Sequence, residues 1–576
     1  MGTSGSRSHP YSVDNADRRQ IELTGGRSSQ RDENKPAIHD SHYDERSDPS
    51  LKKPAIIHPF FFAVFPIVAL FAYNARTISI PIGEMALPSG LSFAGTLVLF
   101  FSLKFLIRNG DKAGVLVSLF LFWFFSFGHV MGILNPWTAW ILGETILYGT
   151  MIMIAIGFLL VIRSRKNFAG LTRFLNIISL ALIAINLISG VQVLTLMRSS
   201  LSKGNISIPA KTEPYPNIYF IVLDGYARAD VLSGLYEFDN APFVSYLEQK
   251  GFYVASRSYS NYCQTYLSLA ATLNLSYLNE LTDQWGSQSN DRRPLVQMIR
   301  HSRVIQLLKS QGYSLVSFES GYSGTEIRDS DFYVHFMRSP SEFQNVLINT
   351  TPLPLLLKLL PKISPYTIHR NRIIGAFRRL SNFSFKKTPF FILAHIMAPH
   401  PPFVFGKGGE EIDPPGSYLI QDGSYLHGTE EVSIQSYIRS YRDQLSVVNE
   451  KIKVAIDSIL ATSPAPIIIL QSDHGPRALT DMENPTATYN REVMAILNAV
   501  YLPGGDYHDF YPDISPINSF IILMNHILGT NMNLFEDKSY FSTWGHPYDF
   551  IPLDKSSFDQ TIQSIREIQK NNRPQE

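Results

Sequence analysis

The sequence predicts an α/β protein in two halves: about five N-terminal transmembrane helices, then a domain whose mainly parallel central sheet is sandwiched by helices. Three observations predict it. Between Ile56 and Met197 the chain is overwhelmingly apolar, and from about Pro214 its composition returns to that of a soluble α/β protein. Within this second half, short runs of β-branched residues stop abruptly at acids, histidines and glycines.

The averages of 45% hydrophobic residues and net charge +1 hide these shifts. Residues 1–53 are rich in Ser, Asp, Arg, Asn and His and cannot bury enough surface to offset the entropy of ordering, so a disordered cytoplasmic tail is expected. The further divisions are a membrane domain at 54–198, a linker at 199–215, a soluble-type domain at 216–556 and a tail at 557–576. Near-neutral charge without a concentrated basic face argues against nucleic-acid binding. Cys263 is the single cysteine, which excludes an intrachain disulfide and a cysteine metal cluster. Any metal must therefore be held by histidine and carboxylate. The N-terminus lacks a cleavable signal pattern, so the membrane helices are expected to drive export.

Five apolar segments, Ile56–Tyr73, Leu91–Ile107, Ala113–Leu134, Thr138–Ile162 and Leu171–Met197, approach the roughly 20 residues needed to span a bilayer. The second has the shortest core and carries Lys104 near its end. Lys52 and Lys53, Arg108 and Lys112, and Arg163, Arg165, Lys166 and Arg173 fall on one side of this arrangement. By the positive-inside rule that side is cytoplasmic, against the lone exception of Arg76 in the first outer loop. An odd number of spans then puts everything after about Ser199 outside the cytoplasm. Glu144 lies in the fourth segment, where a carboxylate is expected to face the bundle interior or an aqueous pocket; a functional role is weighed equally against a hydrogen-bonded structural Glu or a position nearer the interface.

In the second half, Asn217–Leu223 reads as a buried strand ending at Asp224-Gly225, and Pro466–Gln471 as another ending at Ser472-Asp473-His474-Gly475. A third run, from Pro389 to His395, leads into Pro399-His400-Pro401-Pro402. Strands that deliver ligand-type residues at their carboxyl ends are the expected layout at the edge of a parallel sheet. Between them, a helix is expected to start near Gln264 or Thr265, where a hydroxyl meets the positive end of the helix dipole.

Val222-Leu-Asp224-Gly225, Gln264-Thr265-x-x-Ser268, Pro399-His400-Pro401-Pro402 and Ser472-Asp473-His474-Gly475 resemble, in this order, the motifs of the alkaline phosphatase superfamily. With membrane spans ahead of the domain, the chain is similar to lipoteichoic acid synthases and phosphoethanolamine transferases. The resemblance implies that Asp224, Thr265, Asp473 and His474 bind a divalent metal, zinc or manganese, that Thr265 is the nucleophile, and that His400 stabilises or protonates a substrate oxygen. One metal ion is expected. His395 and His546 are candidates for a second metal or for substrate contact, and Arg328 and Asp331 for substrate contact.

Asp224 stands where those transferases tend to carry Glu, closer to the sulfatase and phosphodiesterase branch. Cys263-Gln-Thr-Tyr-Leu lacks the Pro and Arg that formylglycine formation needs, so a formylglycine mechanism is not expected. The implied function is transfer of a phosphoryl-linked head group from membrane lipid to an envelope glycan or lipid acceptor. The alternatives are a phosphate or sulfate ester hydrolase acting on envelope polysaccharide, and a non-catalytic envelope scaffold or sensor. A bacterial cell membrane is the location the resemblance implies.

Overall fold

The computed structural model describes residues 53–78, 80–133, 136–196, 215–336, 340–357, 364–385, 389–414, 431–462, 465–558, 560–561 and 564. The expected N-terminal tail, most of the linker and most of the C-terminal tail lie outside the described residues.

Five apolar helices come first: α1 (His58–Asn74), α2 (Ala86–Ile107), α3 (Gly110–Ile133), α4 (Pro136–Arg163) and α5 (Ala169–Leu196). Four stretches among the described residues are long and apolar enough to cross a membrane, and they lie in α2 to α5. The sequence expectation of the weakest span is corrected here. The second segment gains length at its start, because a 3-10 turn at Ile82–Met85 runs directly into α2. The first is the short one: α1 has 17 residues, about 25 Å of helix against a hydrocarbon core of about 30 Å. It packs against α2, α3 and α5, so it belongs to the bundle.

Polar groups inside the bundle find one another. Asn176 of α5 accepts the His58 amide at 2.9 Å and donates to the Ala55 carbonyl at 2.6 Å, which covers the bare start of α1. His58 Nδ1 lies 2.7 Å from Ser118 Oγ, and Thr172 donates to Asp111 at 3.0 Å. The outward faces of α2, α4 and α5 carry exposed Phe101, Phe105, Met153, Leu160, Ile177 and Ile188. Such a continuous apolar surface suits lipid rather than water. Glu144 is exposed on α4, so the expectation that it faces the bundle interior is not met.

The second half is built on a sheet of seven strands: β1 (Ile218–Leu223), β2 (Tyr253–Val254), β3 (Ser314–Phe318), β4 (Phe332–Val334), β5 (Phe390–Ile396), β6 (Ile467–Gln471) and β7 (Asn498–Tyr501). The order is β2-β7-β6-β1-β5-β3-β4, with β1 central and parallel to both β5 and β6, while β7, near one edge, runs antiparallel to both its neighbours β6 and β2. Every residue of β1 is buried. Tyr219, Ile221 and Leu223 face one helix layer with Tyr441, Leu445 and Ile452, while Ile218, Phe220 and Val222 face the other with Leu267, Ala270 and Phe520. This two-sided burial explains why β1, β5 and β6 read as unbroken apolar runs instead of alternating ones. Each fully buried large aliphatic or aromatic side chain contributes about 1.5–3 kcal/mol, so the sheet centre is a major source of the domain's stability.

The two halves are joined at one end of the bundle. Phe71 of α1 meets Phe343 edge to face with ring centroids 6.2 Å apart, and the Gly128 amide donates to the Thr350 carbonyl at 2.9 Å. Glu84, buried ahead of α2, forms an ion pair with Arg328, which also pairs with Glu326 at 2.8 Å.

Candidate active site

Register does the first part of the assembly. Val222 of β1 lies beside His395 of β5, and Val222 also lies beside Gln471 of β6. Asp224, His395 and Asp473 therefore emerge together at the carboxyl edge. Ser472 staples the strand ends, since its Oγ lies 2.8 Å from the Leu223 carbonyl and accepts the Tyr226 amide at 2.8 Å. Gly225 turns the chain with φ +71°, a left-handed conformation that favours glycine. Gly475 is required for a different reason: a Cβ there would lie 1.9 Å from the Glu492 carbonyl oxygen.

Thr265 is the first residue of the helix Thr265–Asn274, with Gln264 in extended conformation as its N-cap. The Gln264 carboxamide donates to the Thr543 carbonyl at 2.9 Å and to Ser542 Oγ at 3.0 Å, fixing the helix start. Thr265 Oγ1 lies 3.2 Å from His474 Nε2. The other ring nitrogen of His474 donates to the Gly475 carbonyl at 2.8 Å, which leaves Nε2 as a lone-pair atom. That atom is 3.6 Å from Asp224 Oδ1 and 3.5 Å from Asp473 Oδ2.

The same two carboxylate oxygens, Asp224 Oδ1 and Asp473 Oδ2, are buried without a hydrogen-bond partner. Two unpartnered anionic oxygens in a dry site are unfavourable unless a cation lies between them. Asp224, His395 and Asp473 each offer a ligand atom, all within 4.8 Å of one another. Hard carboxylate oxygens with borderline imidazole nitrogens, and no thiolate, fit a divalent ion of the zinc or manganese type.

Electrostatics point the same way. Burial alone would push Asp224 up, yet the imidazoles of His400, His395 and His474 hold it below the ordinary carboxylate range. Burial, aided by the Arg477 guanidinium against the pull of Asp473, pushes His474 down. His395 moves up despite burial, because its Nε2 is 3.0 Å from Asp224 Oδ2. Cys263 is fully buried and burial raises its thiol, so it is a packing residue.

His400 sits at the lip of the cluster, its ring 6.2 Å from that of His474. Its Nδ1 lies 2.5 Å from the Pro401 carbonyl, and Gln444 donates to the His400 carbonyl at 2.9 Å, so both loop and ring are fixed. A narrow cleft beside it is lined by Gly225, Tyr437, Tyr441, His474 and Arg477. Of the sequence candidates, the structure brings Asp224, Thr265, Asp473, His474, His395 and His400 together.

It does not bring Arg328 or Asp331 to the cluster. Arg328 is held in the ion pairs with Glu84 and Glu326. Asp331 accepts the Leu315 amide at 2.8 Å and pairs with Lys309 at 3.1 Å, at the amino end of β3 and so opposite the ligand edge. Arg328 lines a separate cleft with Glu84, Arg300 and Glu326, away from the ligand edge. His546 is half-buried and hydrogen-bonds at 3.1 Å through its amide to Thr543, which in turn holds Gln264.

Two residues were missed. Thr325 lies 2.8 Å from His395 Nδ1 and orients that ring, a contact across 70 residues that no local pattern announces. Arg477 is buried, donates to the Cys263 carbonyl at 2.9 Å and reaches His474 Nε2 at 3.3 Å. A cation four residues after Asp473 was a readable signal.

The family model for sulfatases matches residues 216–530, more than half of the chain and all of the strands that carry this cluster. The chain belongs to the sulfatase family. Solved structures similar to this sulfatase-family protein include the C-terminal periplasmic domain of EcEptC from Escherichia coli. It is 12% identical, with 60% of this chain and 94% of that one covered and a TM-score of 0.40. Another is the integral membrane lipooligosaccharide phosphoethanolamine transferase A from Neisseria meningitidis, 12% identical over 83% of this chain and 96% of that one, with a TM-score of 0.37. A 2-O GAG sulfatase aligns at 14% identity over 57% of this chain and 78% of that one, with a TM-score of 0.37. No curated protein matches the sequence significantly.

Proposed function

We propose that this sulfatase-family membrane protein is a metal-dependent transferase that moves a phosphoryl-linked head group from lipid to an envelope acceptor, with Thr265 as nucleophile. The observation that carries the reading is the position of Thr265 Oγ1, 3.2 Å from a ligand-type nitrogen at the start of a helix, beside two unpartnered carboxylate oxygens. The joined membrane bundle favours a lipid donor, since it keeps the site close to a bilayer surface. The charge pattern of the short loops supports an outward-facing domain.

Asp224, Asp473, His395 and His474 would hold the divalent ion, one ion being the simplest occupant of so tight a group. When bound, a divalent ion makes the threonine hydroxyl more acidic and neutralises charge on the transferring group. Thr265 gives up its hydroxyl proton to water and supplies the oxygen that attacks phosphorus, and the diacylglycerol oxygen leaves as the P–O bond to it breaks. His400 donates the proton that the leaving oxygen needs. Arg477 binds the non-bridging oxygens from the cleft side. An acceptor hydroxyl, passing its proton to His400, then attacks phosphorus and displaces the Thr265 oxygen, which takes a proton from water, releasing the modified acceptor and restoring the free threonine.

The family match supports a second reading, hydrolysis of a phosphate or sulfate ester, in which water is the second nucleophile. Purified protein incubated with head-group-labelled phospholipid separates the two. Diacylglycerol released with label arriving on added envelope glycan or lipid is the expected result. Free phosphate or sulfate from simple esters, with no lipid turnover, overturns transfer in favour of hydrolysis.

A further inference from the structure

Outside the active site, one other group of metal-type ligands stands out among the described residues. His508 and Asp509 lie in the loop after β7, and His526 lies in the last turn of the helix Pro516–Leu528. The carboxylate of Asp509 takes an imidazole on each oxygen, His508 Nε2 at 3.1 Å and His526 Nε2 at 2.8 Å. The two rings are stacked, with centroids 5.8 Å apart and an interplanar angle of 19°. One ligand atom from each of the three residues lies within 4.8 Å of the others.

His508 Nδ1 lies 2.6 Å from Asp506 Oδ1, so that carboxylate holds the ring with Nε2 facing Asp509. A carboxylate that fixes one imidazole nitrogen while the other faces inward is the outer arrangement usual for histidine metal ligands. Two imidazoles and one carboxylate, with room for water, match zinc preferences, and these side chains are exposed enough to close by small rotations.

We infer that His508, Asp509 and His526 form a second, surface divalent-metal site of zinc type, separate from the active site, that pins the loop after β7 to the helix Pro516–Leu528. That helix packs Phe520 against Phe220 of β1, with ring centroids 4.7 Å apart, so the pin braces the central strand from outside.

The test uses full-length protein in detergent, equilibrated with buffered zinc alone and counted for bound metal. Asp473→Asn serves as the background, because it weakens the active-site cluster. This variant is expected to retain one zinc, lost on adding His526→Asn, with zinc raising the melting temperature only while His526 is present. His508→Asn in the otherwise unaltered protein is expected to weaken one of two zinc sites at least tenfold and leave turnover unchanged. Equal zinc content with and without His526, or no loss of a site in the His508 variant, overturns the inference and leaves both histidines as ion-pair partners of Asp509.

Discussion

The ligand edge of the sheet and the short helix Asn490–Met494 beside it both bury carboxylates, and they treat them oppositely. Glu492 is fully buried, but its oxygens accept from Tyr236 at 2.5 Å, from the Ala478 and Leu479 amides at 2.8 Å and from Thr480 at 3.1 Å. Asp224 and Asp473 are as deeply buried and each leaves one oxygen unpartnered, with those oxygens near the same histidine nitrogen. Burial is common to both regions. What separates a structural carboxylate from one available for chemistry is whether its lone pairs are already used.

The largest effect expected from that contrast is at the nucleophile. Thr265→Ala should lower turnover by at least about a thousandfold while stoichiometric metal remains bound, measured by single-turnover assay and metal analysis of one preparation. Retained turnover would remove the nucleophile from the proposed mechanism. Next is Asp473→Asn, expected to weaken metal binding by roughly 100-fold or more, since a charged ligand is lost outright. Without metal, its melting temperature should not fall, because one of two crowded like charges has gone. A clear drop would mean that the two carboxylates are structural after all, like Glu492.

Arg477→Lys keeps a charge but loses the planar fork, so turnover should fall roughly tenfold, with KM raised for charged substrates in particular. An unchanged rate with a lowered melting temperature would assign Arg477 to support of the Cys263 carbonyl alone. The smallest effect tests the other side of the comparison. Burial raises Glu492 to about 7 from its ordinary 4.5, against the hydrogen bonds from Tyr236 and the Leu479 and Ala478 amides. The folded state therefore binds this proton more tightly than the unfolded chain does, and stability should decline as pH rises across that window. Glu492→Gln should flatten this part of the pH–stability curve by a few kcal/mol at most, at about 1.4 kcal/mol per pH unit, with turnover little changed. Denaturant melts at pH 5 and pH 8 measure it.

Much of the molecule was legible because the signals are local. Bundle helices and buried strands declare themselves through composition, since surface facing lipid and sheets covered on both faces must both be continuously apolar. Asp224, Asp473 and His474 were legible because they end such strands, and Thr265 because it opens a helix. The misplaced residues failed for one shared reason. Arg328 and Asp331 sit in a polar loop whose partners, Glu84 and the Leu315 amide, come from elsewhere in the chain. Glu144 carries no local sign of which face of α4 it occupies.

The sequence by itself determined the division into an apolar bundle and an α/β domain, the strands with their ligand-type ends, and the exclusion of an intrachain disulfide and a cysteine metal cluster. Only the tertiary structure decided that His395 joins the two aspartates, that Arg477 reaches His474 and that Arg328 faces the membrane domain instead of the site. Periodicity and composition report how each segment meets its surroundings. Which distant side chains share a point is set by strand order and register, and those depend on the packing of the whole chain.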